Sequence, residues 1–139
     1  MPSGIVKAVV LVDDLDAVLA VLGIVGAEPV HRFESTGAQS AVGLGWPEEQ
    51  GATRGAVVGS RQGMLELVEI PVALHDTVRP GVANLTYATR DVEGAAASFR
   101  ELGLVVRGPF DFDNIGGGTS TFAHVEAGGV PFEVIRYGD

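Results

Sequence analysis

Val10-Leu11-Val12-Asp13-Asp14-Leu15-Asp16-Ala17-Val18 recurs in the second half of the chain as Tyr87-Ala88-Thr89-Arg90-Asp91-Val92-Glu93-Gly94-Ala95. Each copy reads as the end of an apolar strand, an acidic turn and the start of a helix. An aspartate at such a turn accepts the orphan amide hydrogens of the first helical turn. Working outward, Gly26 and Gly103 both stand 12 residues beyond the aspartates Asp14 and Asp91, where a helix stop is expected. A second pair repeats further on: Met64-Leu65-Glu66-Leu67-Val68 returns as Pro131-Phe132-Glu133-Val134-Ile135. Each copy buries one carboxylate in an apolar strand, which is costly unless something pairs with it. Two at equivalent repeat positions mark a site.

The remaining elements fall around these anchors. In the first half, strands are expected over residues 5–12, 28–34, 54–60 and 64–70, with a helix over 15–22 stopped by Gly23 and Gly26. Gln62-Gly63 is a turn, and the Gly-rich stretch 35–53, with Trp46-Pro47, reads as an irregular insertion. Residues 71–80, with a proline at each end, form a linker. In the second half, a strand over 82–88 leads to a helix from Asp91 to about Leu102, ended by Gly103. A strand begins at 104–106, residues 111–120 form a mobile loop, and 121–125 pairs with 131–137 across the Ala127-Gly128-Gly129 turn. Each half is strand, helix and three strands. The fold class is therefore α+β: one domain, 1–139, of two tandem βαβββ modules (about 5–70 and 81–137). A sheet with a helix on one face needs a partner on the other. Two such modules side by side would curve into an open barrel or trough, helices outside.

Composition narrows the function. At 46% hydrophobic, the 139 residues can fill a core and a subunit interface, which fits a homodimer. A net charge of −9 repels phosphates and argues against nucleic acid. The absence of cysteine removes disulfides, thiolate metal sites and thiol nucleophiles. No signal peptide and no membrane-spanning stretch is visible, so a cytoplasmic location is the default. There is no Walker A motif, dinucleotide fingerprint, His-Glu-x-x-His or nucleophile elbow.

The doubled order resembles the vicinal oxygen chelate superfamily, which includes glyoxalase I, bleomycin resistance proteins, extradiol dioxygenases and methylmalonyl-CoA epimerase. The local resemblance is to the epimerase-like branch, in Leu15-Asp16-Ala17, Gly26-Ala27-Glu28-Pro29-Val30 and Met64-Leu65-Glu66-Leu67-Val68-Glu69. It implies that each half of a metal-dependent member supplies a histidine, seven residues before the capping aspartate, and a glutamate from its last strand. Those positions here hold Lys7, Glu66, Asn84 and Glu133. Both histidines are missing. An ammonium cannot coordinate a cation, so the family's divalent metal is expected to be absent and no cofactor is called for. Lys7 is expected to pair with Glu66 or Glu133, supplying the positive charge the metal gives elsewhere.

Three functions fit. The first is a metal-free small-molecule-binding protein of the bleomycin resistance type, with Lys7, Glu66, Asn84, Glu133 and more weakly His124 lining the trough. The second is a metal-independent isomerase, epimerase or lyase acting alpha to a carbonyl, for example of an acyl-CoA thioester. Glu66 or Glu133 would move the proton and Lys7 would steady the enolate. The third is a weakly metal-dependent glyoxalase-type enzyme, to which the lost histidines are least favourable. A purely structural role for the two carboxylates, satisfied within the sheet, fits the pattern equally well. His31 reads as a sheet residue and His75 as solvated. Gly116-Gly117-Gly118 reads as a flexible connection, Trp46 as a loop anchor, and Tyr87 as lying on the face opposite Asn84.

Overall fold

The computed structural model describes residues 4–60, 63–114 and 117–138. Gln62, in an expected turn, and Gly116, in the expected mobile loop, lie outside them, as do the side chains of Ile5 and Ser60. The described residues form β1 (Gly4–Val12), α1 (Leu15–Ile24), β2 (Pro29–Ser35), α2 (Gly37–Leu44), β3 (Thr53–Ser60), β4 (Gly63–Glu69), β5 (Gly81–Ala88), α3 (Val92–Glu101), β6 (Val106–Asp113), β7 (Thr119–Ala127) and β8 (Val130–Arg136). The architecture is α+β, as the repeat implies. Two compact units are present: Lys7–Ala83, and Asn84–Asp139 with Met1–Val6.

The repeated aspartates act as caps. Asp14 accepts the Ala17 amide at 3.0 Å to open α1, and Asp91 accepts that of Gly94 at 2.8 Å to open α3. Gly26 and Gly103 have φ of 83° and 84°, a left-handed turn that glycine takes without a Cβ penalty. Gly23, expected as a stop, instead lies inside α1. One interior glycine costs a helix only about 1 kcal/mol, less than the packing of its apolar face contributes.

In the first unit the strand order is β2-β3-β4-β1. β1 runs parallel to β4, and β3 is antiparallel to both β4 and β2. Alternation divides the side chains. Val12, Ala56, Val58 and Leu67 pack on one face against Leu15 and Leu19 of α1. Val9 and Val68, on the other face, pack with Trp46, Ile70 and Leu74. Burying a leucine such as Leu67, 1% exposed, contributes about 1.5–3 kcal/mol.

The second unit repeats this plan in the order β5-β8-β7-β6. β5 and β8 are parallel, and β7 is antiparallel to β8 and β6. Val92 and Ala96 of α3 pack on Ala123 and Val134. The register sets Thr86 beside Glu133 and Glu133 beside His124, so these three share the face away from Val134.

Two expected loops are ordered elements instead. Within 35–53, α2 opens on a reciprocal capping box, with Thr36 and Gln39 each bonding the other's backbone amide, and closes on left-handed Gly45 (φ 72°). The Thr36-x-x-Gln39 spacing is a helix-start signature; the surrounding glycines hid it. Residues 111–113, expected in a mobile loop, end β6. Asp111 pairs with Thr121, whose hydroxyl donates to the Asp111 carboxylate at 2.7 Å. That cross-strand bond outweighs the low strand propensity of aspartate.

Candidate functional site

Each unit places a polar cluster on the sheet face away from its repeat helix. In the first unit, parallel pairing puts Lys7 opposite Met64 and Val9 opposite Glu66. Lys7 and Glu66 therefore sit diagonally on one face, and the lysine Nζ lies 3.2 Å from Glu66 Oε1. The side chains are 14% and 23% exposed, so the pair is only partly screened by solvent. An exposed pair stabilises by about 0–1 kcal/mol, whereas stripping one partner from a desolvated pair costs more. The expected pairing of Lys7 with a repeat glutamate is thus present, with Glu66. His31 also lies in this unit, on β2, its ring 6.5 Å from that of Phe33.

The second unit holds a longer chain of contacts. The Thr86 hydroxyl stands 3.1 Å from Asn84 Oδ1 and 3.2 Å from Glu133 Oε1. It has one proton, so at any instant it donates to one of the two. Glu133 Oε2 is 2.6 Å from His124 Nε2, and His124 Nδ1 is 2.7 Å from Arg107 Nη2. Asn84, Thr86 and Glu133 are buried. The glutamate's burial, costly if unpaired, is offset by these donors. Three residues singled out from the sequence, Asn84, Glu133 and His124, are thus brought together. Thr86 and Arg107 were missed. Thr86 was within reach, since alternation places it on the face of Asn84.

The remaining candidates separate from these clusters. Trp46 is 7% exposed, an anchor of the core. Tyr87 packs near Phe132, ring centroids 6.1 Å apart, in the strand register opposite to Asn84 and Thr86. His75 is exposed, as expected, and its Nε2 also lies 2.9 Å from the Ile70 carbonyl oxygen. The short helical turn Val72–Leu74 inside the expected linker folds it back there.

Glu69, three residues beyond the repeat glutamate Glu66, has a structural task the sequence did not reveal. It accepts the Leu15 amide at 2.8 Å, at the start of α1, and Arg54 Nε and Nη2 at 2.9 and 3.0 Å. The Arg54 hydrogen bond, more than the Leu15 amide, holds its carboxyl below 4.5, against an opposing push from burial. Arg136 likewise lowers the exposed Glu93. A carboxyl depressed on folding stabilises the protein above its unfolded value, and that contribution is lost as pH falls through the folded value. Stability should therefore decline below about pH 4.5. Glu69→Gln should flatten the decline in urea melts between about pH 6 and pH 3; an unchanged slope would remove Glu69 from this role.

Among the described residues, no three His, Cys, Asp or Glu side chains gather as a metal cluster would require. No known protein family and no curated protein matches the sequence. Solved structures do match. A single-substitution variant of Streptomyces coelicolor methylmalonyl-CoA epimerase, in complex with 2-nitronate-propionyl-CoA, superposes with a TM-score of 0.67 at 22% identity, over 96% of each chain. The chain has the methylmalonyl-CoA epimerase fold. The epimerase of Mycobacterium tuberculosis gives a TM-score of 0.67 at 19% identity, over 98% of this chain and 89% of that one. A hypothetical protein of Bacillus halodurans C-125 gives 0.73 at 14% identity, over 100% and 97%. The epimerases belong to the vicinal oxygen chelate superfamily, and at these identities what is shared is the fold. No helix among the described residues is long and apolar enough to cross a membrane.

Proposed function

We propose that the chain is a small-molecule-binding protein of the glyoxalase and bleomycin resistance type, working without the superfamily's divalent metal. Its ligand-facing polar groups are Lys7 and Glu66 in the first unit and Asn84, Glu133 and His124 in the second. The observation that carries this reading is the Lys7–Glu66 pair at 3.2 Å. Lys7 stands where the resemblance calls for a histidine ligand, and an ammonium has no lone pair to give a metal. Asn84 offers one neutral carbonyl oxygen in the place of the other histidine. The donor set does not fit a transition ion, and a fixed amine supplies the positive charge instead. The reading includes a homodimer and a cytoplasmic location.

Binding is favoured over catalysis because the two histidine positions of the resembling family are held here by Lys7 and Asn84. A general base needs a lone pair aimed at a substrate proton. Glu66 is engaged by Lys7, and Glu133 by Thr86 and His124. A carboxylate has about four lone-pair sites, so these contacts do not bar either from a base role. The second reading is a metal-independent epimerase, isomerase or lyase acting alpha to a carbonyl. It is supported by structural neighbours with acyl-CoA ligands, among them an epimerase in complex with methylmalonyl-CoA and NH4+. In that reading Glu66 or Glu133 takes the alpha proton and returns one to the carbanion, and Lys7 faces the enolate oxygen.

A thermal-shift screen of acyl-CoA thioesters against cationic amphiphilic compounds tests the proposal. At a ligand concentration about 100 times Kd, binding adds roughly 2.7 kcal/mol to stability, well within detection. Lys7→Met should abolish the shift given by a wild-type hit. A full shift in that variant would remove Lys7 from the site. Exchange of the hit's alpha proton in heavy water, lost in Glu66→Gln or Glu133→Gln, would establish the second reading; no exchange leaves binding alone.

A further inference from the structure

The contact between Arg107 and His124 has a chemical consequence for Glu133. A guanidinium carries only N–H donors and stays charged at any pH a protein survives. At 2.7 Å from Arg107 Nη2, His124 Nδ1 must therefore be the acceptor, and so carries no proton. The proton of a neutral imidazole is then on Nε2, which lies 2.6 Å from Glu133 Oε2. Donation across that distance matches a charge-assisted bond to an ionised carboxylate. The two alternatives both fail while Arg107 is in place. An imidazolium would press Nδ1–H against a guanidinium N–H, with two cations in contact. The Nδ1–H tautomer makes the same clash and turns the Nε2 lone pair toward the carboxylate.

We infer that Arg107 is a positioning residue that locks His124 as the neutral Nε2–H tautomer and thereby fixes Glu133 Oε2 as a hydrogen-bond acceptor. Arg107, His124 and Glu133 are then linked by hydrogen bonds that run in one direction from β6 through β7 to β8. The Thr86 hydroxyl acts on the other carboxyl oxygen, Oε1, donating there or to Asn84, and leaves the His124 contact unchanged. A molecule reaching Glu133 meets an acceptor, so the ligand class is one that presents a hydrogen-bond donor or a cation there. That last step rests on the proposed binding function; the tautomer does not.

The test is nitrogen-15 NMR of the imidazole rings in the free protein at about pH 8, above the ordinary histidine range. His31→Gln and His75→Gln assign the signals. Wild-type His124 should show a protonated Nε2 and an unprotonated, hydrogen-bonded Nδ1. Arg107→Met should shift the Nδ1 resonance downfield, toward a nitrogen without a donor. In Glu133→Gln, whose amide accepts either ring orientation, Arg107 should still enforce the Nε2–H tautomer. Adding Arg107→Met to that variant should let the Nδ1–H form appear. A wild-type His124 carrying a proton on Nδ1 would overturn the inference without any variant. So would an Nδ1 resonance indifferent to Arg107→Met. Because no ligand is present, this result can fail while ligand binding stands, and the reverse.

Discussion

Glu133→Ala is expected to cost about 3 kcal/mol of stability and to remove ligand binding. The carboxylate side chain is 11% exposed and accepts from His124 at 2.6 Å, with Thr86 in reach at 3.2 Å. Truncation leaves the His124 donor in a buried site with no acceptor, and such an orphan costs about 1–3 kcal/mol, while the Thr86 hydroxyl keeps Asn84 Oδ1 at 3.1 Å. Glu133→Gln keeps the shape and one carbonyl acceptor, and should cost about 1 kcal/mol. Urea melts at pH 7 read the difference as a change in midpoint at constant m-value. Equal midpoints for wild type and Glu133→Ala would mean that the carboxylate is solvated and the polar chain is not formed.

Trp46→Ala should be at least as damaging, at about 3–5 kcal/mol, though it lies in a stretch whose composition suggests a loose loop. The indole is 7% exposed and packs with Val9, Val68, Ile70 and Leu74. Val9 and Val68 belong to the face that carries Lys7 and Glu66. The indole therefore fills part of the core beside the ion pair. A loss below about 1 kcal/mol, the range of surface substitutions, would place Trp46 outside that core. Trp46→Phe should recover more than half of the loss, since most of the aromatic volume is restored.

The repeat made the module plan legible because its anchors obey local rules. A capping aspartate and a left-handed glycine act within one turn, so Asp14, Gly26, Asp91 and Gly103 revealed both repeat helices without any tertiary information. The repeat glutamates were legible for a similar reason: a carboxylate amid apolar strand residues must be paired. What the sequence hid was set by side-chain contacts across a strand pair. The bond from Thr121 to Asp111 orders the end of β6, and nothing within 111–120 announces it. Arg107 was hidden by geometry. The β6–β7 register shifts between Arg107 and Phe110, and Gly108 there has φ of 99°. A bulge of that kind breaks simple alternation, so counting along β6 could not place the guanidinium against His124. The helix over Gly37–Leu44 was missed for the opposite reason. Its signal was local, in Thr36 and Gln39, but the glycines around the capping box masked it.

The Lys7 amine in the place of a metal ligand is tested most directly by metal analysis of the purified protein, after dialysis against zinc, cobalt, nickel or magnesium. The proposed ammonium–carboxylate pair predicts far less than one ion per chain, and no change in that value on Lys7→Met. One divalent ion per chain, retained through dialysis and lost in Glu66→Gln or Glu133→Gln, would contradict it.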